Sequence, residues 1–303
     1  MTVLFEGLVL KILLTGADGF TGLPFAALAE GAGHQVVSLQ ANLTNQDAVM
    51  QEVAHVAPQA VVHLAAISFV GHADESAFYS VNVVGTTNLL GALAALVPSE
   101  RPRSVLLASS ANVYGNCTQS PITEEQPPAP VNHYAASKLA MEHMAATYLD
   151  RLPIVITRPF NYTGPGQAAS FVIPKIVAHF AQQRTHVLLG NLHVEREYND
   201  VAMVCAAYMQ LLAHGQAGET YNVCSGQTYT LQQVIDLLKN ITGHTLGVEV
   251  NPAFVRANEV HRLCGNPAKL HSLLAQSGVN AVSSPLEDIL KRMLAAAALP
   301  NPL

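Results

Sequence analysis

Tyr134 and Lys138 stand four residues apart in His133-Tyr134-Ala135-Ala136-Ser137-Lys138, a stretch of helix-compatible residues. A helix there would carry both side chains on one face. The pair could do proton chemistry. A free phenol titrates near pH ~10, too high for easy exchange at neutral pH. A neighbouring ammonium favours phenolate and lowers that value. A phenol tuned in this way can give a proton to a carbonyl oxygen or take one from an alcohol. Ser110, in Ser109-Ser110-Ala111-Asn112-Val113-Tyr114-Gly115, offers a second donor to the same oxygen. Tyr-x-x-x-Lys by itself is common on exposed helix faces, so the elements around it carry the argument.

Those elements alternate. Leu8 to Thr15 reads as a strand buried on both faces, followed by Gly16-Ala17-Asp18-Gly19-Phe20-Thr21-Gly22 and a helix to about Glu30. Glycines at such a turn let the backbone come close to a pyrophosphate, which then rests on free N–H groups at the helix start. The spacing is Gly-x-x-Gly-x-x-Gly, and in its strand–helix setting it predicts dinucleotide binding. Gln35 to Leu39 reads as a second strand, and neither the acid that suits an NAD ribose nor the Arg that suits a 2′-phosphate follows it. NADH and NADPH therefore both stay open. Further strands are expected at Ala60–Ala65, Ser104–Ala108 and Pro153–Thr157. Helices are expected at about 42–56, 76–96 and 134–149. Ala65 and Ala66 leave room for a flat ligand. This is the pattern of an α/β chain with a Rossmann-type, doubly wound parallel sheet. After Arg158 the texture changes to turn-rich loops with helices at about 172–183, 202–213 and 231–240 and strands at 186–189 and 220–223. We expect a dinucleotide-binding domain over 1–164, rejoined by about 196–224, and a smaller interleaved substrate-binding domain over most of 165–303.

Composition narrows the classes. With 303 residues, half of them apolar and 12% charged, the chain can bury a large core. The net charge of -6 and the lack of a basic run argue against nucleic acid. The 13 His are scattered and read as surface or core residues, so no metal site is expected. Cys117, Cys205, Cys224 and Cys264 lack Cys-x-x-Cys spacing and suit reduced thiols in the cytoplasm. No apolar run is long enough for a membrane span, and the first residues read as a strand rather than a signal peptide.

Several motifs, in order, resemble one family. They are Gly16-x-x-Gly19-Phe20-x-Gly22, His63-Leu64-Ala65-Ala66, Asn82-x-x-Gly85-Thr86, the Ser109–Gly115 stretch, Tyr134-x-x-x-Lys138 and Arg158-Pro159-Phe160-Asn161. Together they are similar to the extended short-chain dehydrogenases/reductases that act on nucleotide sugars, over nearly the whole chain. Pro159-Phe160-Asn161-Tyr162-Thr163-Gly164-Pro165-Gly166-Gln167, Gly190-Asn191-Leu192, Tyr221-Asn222-Val223-Cys224-Ser225-Gly226 and Arg256-x-x-Glu259 most resemble the GDP-4-keto-6-deoxymannose reductases within that family.

The resemblance implies roles. Tyr134 would be the proton donor, Lys138 would lower its pKa and hold the nicotinamide ribose, and Ser110 would bond to the keto oxygen. Gly16, Gly19, Phe20 and Gly22 would cradle the pyrophosphate. Asn42 and Leu43 would flank the adenine, Leu64, Ala65 and Ala66 would line the cofactor floor, and Asn82 would belong to the same site. Asn161, Val172, Lys175, Gly190, Asn191, Arg196, Arg256 and Glu259 would hold the substrate nucleotide. Of these, Arg196 and Arg256 offer guanidinium forks for the diphosphate. Sugar-nucleotide 4,6-dehydratases carry a Glu where this chain has Asn112, so dehydration is disfavoured. The implied reaction is NAD(P)H-dependent reduction of the C4 keto group of a GDP-4-keto-6-deoxyhexose, giving the rhamnose or the 6-deoxytalose configuration. The alternatives are an NAD-dependent nucleotide-sugar 4-epimerase and a non-catalytic dinucleotide-sensing relative. A homodimer is also implied. Leu139, His143, Met144 and Thr147 on one helix, with Leu89, Leu90, Leu93 and Leu96 on its neighbour, would form an apolar stripe for a symmetric contact.

Overall fold

A computed structural model describes residues 8–254, 261–276 and 284–298. The first half alternates as its apolar pattern requires. β1 (Lys11–Thr15) enters the glycine turn and α1 (Gly22–Gly31) leaves it. β2 (Gln35–Ser38), α2 (Gln46–Val56) and β3 (Ala60–His63) follow. Then come α3 (Glu75–Tyr79), one turn of π-helix over Ser80–Gly85, and α4 (Thr86–Ala95). β4 (Val105–Ala108), α5 (His133–Ala146) and β5 (Ile154–Pro159) complete the run.

Six strands make one sheet, in the order β2-β1-β3-β4-β5 with β10 (Thr220–Val223) at the far edge, and every neighbouring pair is parallel. The chain builds outward from β1 to β2, then crosses back to β3 and builds the other way. The loops after β1 and β3 therefore part, and such a switch point leaves a crevice at the carboxyl ends of the strands. Alternating side chains of β1 serve two cores. Ile12 and Leu14 pack with α1 residues Phe25 and Ala29 and with Val204 and Leu211 beyond them. Leu13 packs on the opposite face with Val49, Val53, Leu89, Leu93 and Met141.

The single helix expected from Ser76 to Leu96 is interrupted by the π turn. Its extra residue turns Asn82 inward, where the side chain is 1% exposed. A second difference concerns the expected outer stripe. Leu89, Leu90 and Leu93 are fully buried and Leu96 nearly so, all packed against the sheet and α2. They belong to the protein's own core, so they offer no surface to a second copy.

Beyond β5, β6 (Tyr162–Thr163) leads to α6 (Val172–Ala181), β7 (His186–Leu189), β8 (Glu195–Glu197) and β9 (Asn199–Asp200). α7 (Val201–His214) then packs against α1, and β10 rejoins the sheet beside β5. β11 (Thr228–Thr230), α8 (Leu231–Thr242), β12 (Gly247–Val250), β13 (Arg262–Leu263), α9 (Ala268–Gln276) and α10 (Leu286–Ala297) follow. α6, α8 and α10 enclose a third core with Val187 and Leu189 of β7. Asp200 ties this region to the first: it caps α7 through Ala202 N–H at 3.0 Å and forms an ion pair with Arg292 of α10.

The polar stretch 190–200 holds strands that its sequence did not announce. Their anchor is Glu197, fully buried, which accepts N–H groups from Gly265 at 2.6 Å and Ser225 at 2.8 Å and the Asn199 amide at 3.0 Å. A buried carboxylate needs such partners, and here they gather three separate loops.

Candidate active site

The crevice floor is a hydrogen-bond chain between β1, β3 and α4. The Thr15 hydroxyl lies 2.7 Å from His63 Nδ1, and His63 Nε2 lies 2.8 Å from the Thr86 hydroxyl. Thr86 donates to the Asn82 carbonyl at 2.7 Å, so it accepts from Nε2–H. Thr15 accepts the Leu64 and Ala65 N–H groups at 3.2 and 3.1 Å and donates to Nδ1. The chain closes on one tautomer, a neutral His63 protonated at Nε2. Burial, with the Lys138 charge adding to it, pushes His63 down to about 3. The sequence singled out none of these roles. The signal was a polar residue ending an apolar strand, which must find partners once buried.

Against this floor sits the glycine turn. Gly16 has φ +68°, and a Cβ there would lie 2.9 Å from Ala65 N. Gly22 touches the Gly16 carbonyl so closely that a side chain would collide with it. Gly19 N–H donates to the Gly16 carbonyl at 3.1 Å. The turn therefore brings Gly16 against Leu64 and Ala65, which with Ala66 are half-buried. Phe20 stacks on Tyr162 with 5.9 Å between ring centroids, and Thr21 meets the Tyr162 hydroxyl at 2.9 Å. A cradle that a Cβ would fill, at the positive end of a helix, fits a dinucleotide diphosphate.

Asn82 stands behind the floor. Its side chain accepts Ile67 N–H at 3.0 Å and donates to the Ile67 carbonyl at 3.2 Å and to Ser137 Oγ at 3.0 Å. It holds the segment after β3 to α5. Leu43 is buried in the core, and Asn42 closes a turn on Thr44 at 3.0 Å.

Ser110, Tyr134 and Lys138 meet at the end of β4. Ser110 opens a short 3-10 turn, accepting Asn112 N–H at 3.2 Å, and its hydroxyl lies near enough to the Tyr134 phenol to favour the phenolate. Tyr134 is 8% exposed and Lys138 3%. The lowering of the phenol pKa expected from Lys138 is not what this geometry produces. Burial dominates and pushes Tyr134 up to about 12, with the neighbouring Ser110 hydroxyl opposing it. The Lys138 ammonium donates instead to the Ala108 carbonyl at 2.7 Å, and burial pulls it down to about 8 against the pull of Glu142. The site thus presents a neutral phenol, the form that gives a proton.

Glu142, one turn beyond Lys138, is the further residue that sequence reading missed. It receives Arg158 Nε at 3.0 Å and a terminal Arg158 nitrogen at 2.6 Å, and it accepts the Ser109 hydroxyl at 2.5 Å. Arg158 also lies over the Tyr114 ring, 4.9 Å from its centroid. This buried pair ties α5 to the ends of β4 and β5. The i, i+4 spacing from Lys138 was its only trace in the sequence.

The expected substrate residues sit on the other wall. Val172 and Lys175 lie in the first turns of α6. The Lys175 ammonium donates to the Leu188 carbonyl at 2.8 Å and lies 5.0 Å from the Phe254 ring centroid. Gly190 follows β7 so close to Phe254 that a Cβ would come 2.6 Å from its carbonyl. Asn191 accepts His193 N–H at 2.9 Å. Val172, Lys175, Gly190 and Phe254 thus form one neighbourhood. Arg196 lies in β8, half-buried, donating to the carbonyls of Glu195 at 2.8 Å and His261 at 3.3 Å. The Asn161 carbonyl accepts Asn199 N–H at 3.0 Å, leaving its side chain exposed. Phe69 and Phe171 touch edge to face at 5.9 Å, joining the segment after β3 to the start of α6. Arg256 and Glu259 lie outside the described residues. Among the described residues no cluster of His, Cys, Asp or Glu could hold a metal, and no helix is long and apolar enough to cross a membrane.

Known proteins share this architecture. The family model described as GDP-mannose 4,6 dehydratase matches residues 25–276. The chain is 34% identical to GDP-6-deoxy-D-talose 4-dehydrogenase of Aggregatibacter actinomycetemcomitans, covering 94% of this chain and 98% of that one. It is 36% identical to GDP-6-deoxy-D-mannose reductase of Pseudomonas aeruginosa, covering 86% and 90%. Among solved structures, a candidate epimerase from Burkholderia cenocepacia J2315 superposes with a TM-score of 0.88 at 42% identity, covering 95% and 98%. RMD from Pseudomonas aeruginosa, complexed with NADPH, superposes with a TM-score of 0.85 at 31% identity, covering 96% and 99%. The chain belongs to the GDP-mannose 4,6-dehydratase-like family of extended short-chain dehydrogenases/reductases, and its relatives there are oxidoreductases of GDP-sugars.

Proposed function

We propose that this protein reduces the C4 keto group of a GDP-4-keto-6-deoxyhexose with NADH or NADPH, giving a GDP-6-deoxyhexose of the rhamnose or 6-deoxytalose configuration. The observation that carries the reading is a buried, neutral Tyr134 beside Ser110, with Lys138 one turn away, in a chain 36% identical to a GDP-6-deoxy-D-mannose reductase. Asn112 supports it from the other side. Its amide cannot act as the base that a dehydration needs.

The residues of the glycine turn fit a dinucleotide diphosphate, with Gly16, Gly19, Phe20 and Gly22 around it and Leu64, Ala65 and Ala66 below. Tyr134 and Lys138 would flank its nicotinamide ribose. The bound cofactor supplies the hydride. The chain's own part is to hold the keto oxygen between Ser110 and Tyr134 and to deliver the Tyr134 proton to that oxygen. The Lys138 charge then stabilises the phenolate left behind. The wall formed by Val172, Lys175, Gly190, Asn191 and Arg196, with Arg256 and Glu259, would receive the GDP moiety, and this region acts as the substrate-binding domain.

We place the protein in the cytoplasm as a homodimer. With the α4 leucines buried, the contact would use exposed His143 and Met144 of α5, Thr147 at its C-terminal cap and Val84 beside α4. A second reading, a nucleotide-sugar 4-epimerase, is favoured by the Burkholderia structure. One experiment separates them. Purified protein is incubated with GDP-4-keto-6-deoxymannose and each reduced cofactor, and the product is identified by NMR. Stoichiometric oxidation with a GDP-6-deoxyhexose product supports the reductase. NAD retained through gel filtration, with no net oxidation, supports the epimerase.

A further inference from the structure

The adenosine end of the crevice bears on a choice the sequence left open, and the inference rests on the dinucleotide reading above. In sheets of this kind an acid about twenty residues past the glycines takes the ribose 2′-hydroxyl, and an Arg nearby accommodates a 2′-phosphate. β2 runs out into Leu39-Gln40-Ala41-Asn42, which holds neither. The structure brings an acid from elsewhere. Glu52 of α2 reaches back so that Oε1 accepts Gln40 N–H at 2.8 Å and Oε2 accepts Ala41 N–H at 2.7 Å. This stretch borders the glycine turn: Leu14 pairs with Ser38, and Leu39 N–H donates to the Leu14 carbonyl at 2.9 Å.

Among the described residues no ion pair includes that carboxylate. From Gly16 to Gly22 the charged residue is Asp18, and from Ser38 to Asn45 every residue is neutral. Lys11 is spent at the opposite end of β1, where its ammonium donates to the Val56 carbonyl at 2.9 Å. A 2′-phosphate would bring roughly −1.5 to −2 charges to a carboxylate, and the two N–H groups best placed to receive it are already taken. A 2′-hydroxyl brings a donor instead. A carboxylate has about four lone-pair sites, so Glu52 keeps acceptor capacity after its two backbone bonds.

We propose that Glu52 is the cofactor-specificity residue, standing in from α2 for the acid that β2 lacks, and that this protein takes NADH in preference to NADPH. The test is calorimetric titration of the purified protein with each reduced cofactor, with no sugar nucleotide present. NADH is expected to bind at least ~10-fold more tightly, the scale of one charged hydrogen bond. Glu52→Gln removes the charge and is expected to narrow the ratio by raising NADPH affinity. Gln40→Arg, at an exposed position, is expected to raise NADPH affinity ~10-fold with little change for NADH, and it serves if Glu52→Gln lowers the melting temperature. Equal or tighter NADPH binding by the unaltered protein overturns the proposal, as does an unchanged ratio in a fully folded Glu52→Gln variant. Failure to turn over GDP-sugars would sink the reductase reading and leave this one standing. Failure to bind either cofactor would sink both.

Discussion

The Thr15 hydroxyl meets His63 Nδ1 at 2.7 Å, and that contact fixes both the tautomer of a fully buried imidazole and the two N–H groups that begin the cofactor floor. Burial of that imidazole, with the Lys138 charge adding to it, makes the fold sensitive to acid. His63 binds a proton only near pH 3 when folded but near 6.5 when unfolded. The unfolded chain therefore holds more protons between those values, and stability present above pH 6.5 is lost as pH falls. Complete passage through that window would cost on the order of 4–5 kcal/mol. Urea titrations at pH 7.5, 5.5 and 4.5 should show a steeper loss for the native protein than for His63→Gln. Equal slopes would mean that His63 takes its proton without unfolding.

Tyr134→Phe keeps the ring and removes the donor. Turnover should fall by about 10²–10⁴-fold, while calorimetric affinity for the reduced cofactor stays within a few-fold. Turnover near that of the native protein would show that the proton comes from another group.

The pH profile should report Lys138. Tyr134, pushed up to about 12, stays protonated throughout the working range, whereas Lys138 begins to lose its charge near pH 8. kcat/KM for the cofactor reflects the free enzyme and is expected to decline above pH 8. A profile flat to pH 10 would indicate that Lys138 remains an ammonium in the site.

Glu142 and Arg158 form a buried pair, with side chains 7% and 8% exposed. Removing one partner leaves the other charge uncompensated, which typically costs about 3–5 kcal/mol. Glu142→Ala should lose that much in chemical denaturation, and Ser109→Ala, which deletes a single bond to the same carboxylate, only ~1–3 kcal/mol. A Glu142→Ala variant as stable as the native protein would mean that water reaches Arg158.

Gly22→Ala tests the cradle. The added methyl would run into the Gly16 carbonyl, so cofactor affinity should collapse or the protein fail to fold. Gly31→Ala, where nothing lies within 4 Å, is the matched control and should be nearly neutral or slightly stabilising.

Much of this protein is written in local sequence, because local sterics and periodicity act over a few residues. Apolar runs of four to eight residues became parallel strands, the glycines at 16, 19 and 22 became a strand-to-helix turn, and the Tyr134–Lys138 spacing became two buried neighbours on α5. What the tertiary structure decided depends on burial and on contacts between distant segments. The phenol of Tyr134 rose in pKa rather than fell, since desolvation dominates there and the Lys138 ammonium is bonded to the Ala108 carbonyl. The α4 leucines turned inward because α2 and the sheet were there to receive them, and a π turn aimed Asn82 at Ser137, 55 residues away. Glu52 came to lie under Gln40, and Glu197 under Gly265, through packing that no window of sequence contains.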